Sequence, residues 1–130
     1  MRLLLDTHTL VWSASPDDVH RLSRAARDAL ENRSNEVLVS AASAWEVATK
    51  HRVGQLPAGE RLVRSWTAIL SELRAVDLAV TSRHGLMAGG FTFDHGDPFD
   101  RMLAAQAIVE GARLVTADPA MQAFGADLLW

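Results

Sequence analysis

Short apolar runs alternate with helical patterns along the whole chain, and this alternation is the feature that most constrains the fold. The clearest run, Val37 to Val39, contains two β-branched valines and is typical of a strand buried on both faces. Strands that alternate with helices favour a mostly parallel sheet with helices on both sides. We therefore expect an α/β fold whose five strands lie at residues 2–5, 37–39, 75–79, 113–116 and 127–130.

The helices between these strands are predicted from apolar spacing and from start and stop signals. Pro98 follows Asp97 where one helix begins, and Gly111 follows Glu110 where it ends, which is the usual placement of proline and glycine. No repeat, low-complexity tract or linker is visible, so we expect one domain over residues 1–130. The predicted helices cover residues 7–14, 17–32, 41–52, 60–73, 81–88 and 98–110, with a last short helix after 118–119.

Charge and cysteine content exclude several kinds of site. The chain has no cysteine, which excludes disulfides and thiolate metal ligands. Its formal net charge of -3 means that any nucleic acid must be held by a local patch, a metal ion or a second chain. The N-terminal apolar run stops at Asp6, too early for a signal peptide, and no transmembrane segment is visible. We expect a cytoplasmic protein with no membrane contact.

Four acidic side chains are predicted to meet at the edge of the sheet where the strands end: Asp6, Glu46, Asp100 and Asp118. Each also has an ordinary structural explanation. Asp6 and Asp118 are placed to cap helices, and Asp100 lies in a first helical turn that favours acidic residues. Glu46 has Lys50 four residues on, as in a solvent-facing ion pair. It is their predicted convergence that points to a site.

Clustered carboxylates repel one another, and the usual compensation is a cation. Oxygen ligands without cysteine favour a hard ion, Mg²⁺ or Mn²⁺. His8 and His95 do not show the paired spacing of a zinc site. A hard ion held by carboxylates is the apparatus of phosphodiester hydrolysis, so the sequence predicts a metal-dependent nuclease.

Four segments of the chain together resemble the PIN-domain proteins, and in particular the VapC-type toxins of bacterial toxin–antitoxin pairs. They are Leu4 to His8, Ser43 to Val47, His95 to Ala107 and Leu114 to Asp118, and the resemblance continues to the closing Leu128-Leu129-Trp130. It implies a three-layer α/β/α sandwich and a Mg²⁺- or Mn²⁺-dependent ribonuclease. It also implies a homodimer, inhibited by a cognate VapB-type antitoxin.

The same resemblance assigns roles to individual residues. Thr7 and Thr116 fall where the family has hydroxyls beside the site, while Gly96 replaces a common basic residue and predicts weaker phosphate contact. We expect Asp6 and Asp100 to hold the ion most directly. Glu46 and Asp118 would act through water, bind a second ion or orient the attacking water. Asp97 would touch the ion directly or through water, or would only cap its helix. The residues that match the family's acidic positions are Asp6, Glu46, Asp97, Asp100 and Asp118.

Contacts to RNA are harder to predict from the sequence. Arg101 lies beside Asp100 and is the preferred candidate for a phosphate contact, with a salt bridge to a carboxylate as the alternative. The helical spacing of Trp66 indicates core packing. A further basic stretch that could meet phosphates comprises Lys50, Arg52, Arg61 and Arg64.

Three other interpretations fit the sequence less well than a metal-dependent nuclease does. A phospho-accepting receiver domain needs an acidic pair after its first strand and a late lysine, but Thr7 follows Asp6 and the only lysine is Lys50. A phosphatase with an Asp-x-Asp motif is disfavoured because residue 8 is histidine. The third is a catalytically inert PIN-like module that binds RNA or protein. A complete acidic set argues against it, since such a cluster is costly without a metal.

Overall fold

The computed structural model describes all 130 residues and contains the five expected strands and, with one exception, the expected helices. No helix is both long enough and apolar enough to cross a lipid bilayer. The strands are β1 Arg2–Leu5, β2 Glu36–Ser40, β3 Ala75–Leu78, β4 Arg113–Val115 and β5 Leu128–Leu129. The helices are α1 Thr7–Ser13, α2 Arg24–Glu31, α3 Ala41–Arg52, α4 Glu60–Glu72, α5 Ser82–Gly90 and α6 Pro98–Glu110, with 3-10 helices at Val19–Arg21, Pro57–Gly59 and Pro119–Phe124.

The five strands form one sheet in the order β3-β2-β1-β4-β5, and every neighbouring pair is parallel. The central strand is β1, where Leu4 is in register with Leu38 on one side and Leu114 on the other. The predicted α/β fold with a mostly parallel sheet is therefore confirmed. Because all strands run the same way, the residues at their carboxyl ends, among them Asp6 and Ser40, lie along one edge.

Alternate residues of the strands face two separate cores, which is why the molecule has three layers. Leu3 and Leu5 of β1 belong to a cluster of 16 buried residues that also includes side chains of α1 to α4. Leu4 points the other way, into a cluster of 10 buried residues built with α6 and the 3-10 helix Pro119–Phe124. Trp66 packs against the larger cluster, as predicted.

One predicted helix is wrong. The helix expected over residues 17–32 is divided into the 3-10 helix Val19–Arg21 and α2. The division occurs because Leu22 is extended, with φ -69° and ψ 137°, and Ser23 caps α2 by accepting a hydrogen bond from the backbone N of Ala26. The apolar spacing continued across this break because Leu22, at the junction, is buried in the same core as Ala26 and Ala29 of α2.

The signals at the two ends of α6 are confirmed. Asp97 is its N-cap, and its Oδ1 accepts hydrogen bonds from the backbone N of Phe99 at 2.8 Å and of Asp100 at 3.2 Å. Gly111 ends the helix with φ 62°, a left-handed conformation that glycine adopts without a Cβ penalty. The helix that carries Asp100 is therefore fixed at its start by another acidic residue.

Candidate active site

A small polar cavity of about 90 Å³ lies at the edge of the sheet where β1 and β4 end. None of its lining residues is hydrophobic. The sheet and its flanking helices thus bring together the five acidic residues singled out in the sequence. The lining consists of Asp6, Thr7, His8, Glu46, Lys50, Asp97, Asp100 and Asp118.

Asp6 and Asp118 enter the cavity from the ends of neighbouring strands. Asp6 is the N-cap of α1, and its Oδ1 accepts a hydrogen bond from the backbone N of Thr9 at 2.7 Å. Asp118 caps the following 3-10 helix through a 2.9 Å hydrogen bond from the backbone N of Ala120. The backbone N of Asp6 also donates to the carbonyl of Val115, which ties the two strand ends together. Capping therefore positions these carboxylates rather than excluding them from a site.

Asp97 and Asp100 come from the start of α6. The capping bonds of Asp97 use only its Oδ1. Asp100 is held through its Oδ2, which lies 3.1 Å from Nε2 of His95. Each of the four aspartates is thus held by one oxygen, while its second oxygen accepts no hydrogen bond.

Glu46 is held differently, at both of its oxygens. Its side chain is 5% exposed, so the pair with Lys50 forms, but the alternative explanation that it faces solvent is excluded. The hydroxyl of Thr7 donates to Oε1 at 2.5 Å and also lies 3.1 Å from the hydroxyl of Ser43. Lys50 Nζ donates to Oε2. Glu46 is buried because the face of α3 that carries it packs inward beside Thr7.

The crowding of acidic groups affects the pKa of Asp100. Burial raises the pKa of the Asp100 carboxyl, and the negative charges of Asp97 and Glu46 raise it further. The hydrogen bond and the charge of His95 act in the opposite direction and lower this pKa. On balance the charged form of Asp100 is destabilised. A cation bound beside it would stabilise that charged form.

The chemistry of the lining fits a hard divalent ion. No three carboxylate or imidazole groups are already drawn together at metal-binding distance, so binding requires side-chain adjustment. Asp6, Asp97, Asp100 and Asp118 each offer a free oxygen, and oxygen donors suit Mg²⁺ or Mn²⁺. His8 is the only imidazole in the lining, which does not favour zinc.

The predicted substrate contacts of Thr7 and Thr116 are not supported by where their hydroxyls lie. The Thr7 hydroxyl is engaged with Glu46, as described above. Thr116 is 2% exposed, and its Oγ1 accepts a hydrogen bond from the backbone N of Asp118 at 3.1 Å. Both hydroxyls therefore hold acidic residues in place and do not face the cavity as free donors.

Arg101 is held by the backbone. Its guanidinium forms no salt bridge to a carboxylate, because it is surrounded by carbonyl groups from the end of α5 and from the segment before α6. These carbonyls keep the guanidinium away from the carboxylates. The same hydrogen bonds fix the backbone of the segment that leads to Asp97 and Asp100. The carbonyls that accept its hydrogen bonds belong to Ala88, Gly89, Phe91, Phe93 and His95.

Replacing Arg101 by alanine is expected to lower the free energy of unfolding by about 1–3 kcal/mol, because several partly buried carbonyls lose a charged donor. Urea unfolding followed by circular dichroism measures this change. Arg33→Ala is the matched control, since Arg33 is exposed and forms no side-chain hydrogen bond or ion pair. Equal stabilities of the two variants would contradict the structural role of Arg101.

Lys50 is the cavity residue whose position the sequence did not reveal. The available signal was its spacing of four residues from Glu46, which puts both side chains on one face of α3. Of the other basic residues considered for RNA, Arg61 pairs with Glu72 and Arg64 pairs with Glu60, all on exposed surface. Lys50 is therefore the basic residue of that stretch that reaches the acidic cavity.

Comparison with known proteins agrees with the architecture. The family model for the PIN domain matches residues 3–126. Ribonuclease VapC22 of Mycobacterium tuberculosis is 38% identical over 123 residues, which cover 89% of this chain and 86% of that protein.

Two solved structures share the fold at low sequence identity. A structure of VapBC2 from Rickettsia felis bound to a promoter DNA fragment aligns with a TM-score of 0.63 and 18% identity, over 98% of this chain and 96% of that one. A domain of a functionally unknown protein from Methanocaldococcus jannaschii aligns with a TM-score of 0.59 and 14% identity, over 98% and 88%.

Proposed function

The chain belongs to the PIN-domain family, and we propose that it is a metal-dependent endoribonuclease that acts as the toxin of a toxin–antitoxin pair. The observation that carries this proposal is the set of four aspartates in one polar cavity, each oriented through one oxygen and free at the other. The similarity to a protein named as a VapC ribonuclease supports cleavage of RNA.

In this proposal the divalent ion, Mg²⁺ or Mn²⁺, is held by Asp6, Asp97, Asp100 and Asp118. Such an ion, when bound, supplies Lewis-acid activation of a phosphodiester for attack by water. The reaction joins the oxygen of water to phosphorus and breaks the bond to the 3′ oxygen. The family resemblance predicts products with a 5′ phosphate and a 3′ hydroxyl.

The chain itself contributes orientation. The backbone N–H groups at the starts of three helical segments fix Asp6, Asp97 and Asp118, and His95 fixes Asp100. Ligands held in this way lose little further freedom when an ion binds, which favours both affinity and a defined geometry.

The partners follow from the family resemblance alone. We propose a cognate VapB-type antitoxin, a homodimer and a cytoplasmic location, where the RNA substrate is found. The net charge of -3 agrees with an arrangement in which part of the grip on RNA comes from a second chain or from the metal.

The proposal is tested by incubating the purified chain with total RNA and mapping the fragment ends. We expect discrete fragments in Mg²⁺ or Mn²⁺ and none when EDTA removes the ion. Without the ion, the cavity has no Lewis acid to activate the phosphodiester. No cleavage under any condition, together with no thermal shift on adding Mn²⁺, would instead favour a catalytically inert binding module.

A further inference from the structure

Glu46 differs from the other acidic residues of the cavity in having no free oxygen. Thr7 donates to its Oε1 and Lys50 to its Oε2, while each aspartate keeps one oxygen without a hydrogen bond. The aspartates can therefore turn a free oxygen toward an ion without losing a hydrogen bond, but at Glu46 an ion would have to displace a partner. The cavity thus has an aspartate side, where carboxylate oxygens are free to contact an ion, and a Glu46 side, where both oxygens are already hydrogen-bonded.

Lys50 fills the part of the cavity beside Glu46. It is the only lysine of the chain, its side chain is 32% exposed, and its ammonium lies among acidic groups of two helices. Burial lowers the pKa of Lys50, but the hydrogen bond to Glu46 and the charges of Glu46, Asp97 and Asp100 raise it more.

A positive charge at this place has two physical consequences. It offsets part of the repulsion among five carboxylates before any metal binds. It also repels a divalent ion that approaches the Glu46 side, since like charges a few ångströms apart in a partly buried site repel strongly. The aspartates on the other side are left as the favourable place for the ion.

We propose that Lys50 is a tethered cation that replaces a second metal ion in this site. Anchored on Glu46, its ammonium restricts the cavity to one divalent ion, held by the aspartates. The same ammonium faces the cavity as a compact positive donor for the phosphate of the substrate. Glu46 is then the anchor of Lys50, a positioning residue rather than a metal ligand. This inference rests on the proposed metal dependence.

The test is calorimetric titration of Mn²⁺ into the full chain and into Lys50→Gln, which removes the charge but retains a donor for Glu46. We expect one ion per wild-type chain. In Lys50→Gln we expect a second ion, or at least about a tenfold gain in affinity for the first, because the repulsion is gone. If Lys50→Gln still binds one ion, and its affinity for that ion rises by less than about tenfold, the inference is overturned.

Two further variants keep the experiment interpretable. Lys50→Arg retains the charge and should bind one ion as the wild type does. Lys50→Met removes both charge and donor, and in a thermal melt its stabilisation by Mn²⁺ should exceed that of the wild type. An equal or smaller stabilisation would count against the tethered cation even if Lys50→Gln folds poorly.

The outcomes also separate this inference from the proposed function. A wild-type chain that binds no Mn²⁺ would contradict the metal-dependent nuclease itself, whatever Lys50 does. A wild-type chain that binds two ions and cleaves RNA would leave the nuclease intact and overturn the role assigned to Lys50.

Discussion

Replacing Asp100 by asparagine is expected to lower the rate of RNA cleavage at least about a hundredfold, because the change removes a charged ligand from the ion. The side chain is nearly isosteric, so the contact with His95 can persist. Single-turnover cleavage of one defined RNA in Mn²⁺ measures the effect. Asp28→Asn is the control, because Asp28 is 69% exposed on α2 and lies outside the cavity. Undiminished cleavage by Asp100→Asn would remove this residue from the mechanism.

The same substitution should not destabilise the metal-free protein at neutral pH. Burial raises the pKa of Asp100 above its unfolded value, so its stabilising contribution is fully present below the unfolded pKa and is lost as the pH rises through the folded pKa. Asparagine avoids that loss. We expect the variant to unfold at an equal or higher temperature without metal and to gain less from added Mn²⁺, as measured by differential scanning calorimetry.

Replacing Leu4 by alanine is expected to lower the free energy of unfolding by about 2–5 kcal/mol, which is a large part of the stability of a domain of this size. Leu4 is 0% exposed in the central strand and belongs to the core formed with α6, so its loss leaves a cavity between sheet and helix. Urea unfolding gives the value.

The control for this change is Leu86→Ala, because Leu86 is 80% exposed on α5. Its effect should remain within about 0.5 kcal/mol of the wild type. A similar loss in both variants would mean that Leu4 is not buried as described. Since Leu4 lies two residues before Asp6, the Leu4→Ala variant also shows how far the position of Asp6 depends on the packing of the central strand.

The parallel sheet could be predicted because its signals are local. A buried strand such as Val37 to Val39 is recognisable from its short apolar, valine-containing run, and α6 is delimited by Asp97-Pro98 at one end and Gly111 at the other. Once the strands are parallel, the acidic residues that follow them must share an edge. The convergence of Asp6 and Asp118 therefore needed no tertiary information beyond strand order.

The inward face of α3 could not be predicted in the same way, because the apolar pattern misleads there. Trp45 is 65% exposed, whereas its neighbour Glu46 is buried. Burial energy alone would favour the opposite orientation. The exception arises because Thr7 and Lys50 supply polar partners for Glu46 inside the fold, and local rules fail most often at such functional positions.

The role of Arg101 depended on a segment without regular structure. The path of residues 91–96 determines which carbonyls meet its guanidinium, and no periodic pattern specifies that path. A charged residue next to Asp100 therefore looked like a substrate contact, although its donors are already used by the backbone.

The most direct test of the metal-dependent site is anomalous diffraction from a crystal of the chain soaked in Mn²⁺. We predict one strong peak in the cavity, in contact with carboxylate oxygens of Asp6, Asp97, Asp100 and Asp118, while Lys50 remains on Glu46. A crystal without a peak in this cavity, from protein that cleaves RNA in Mn²⁺, would place the chemistry elsewhere and contradict the site.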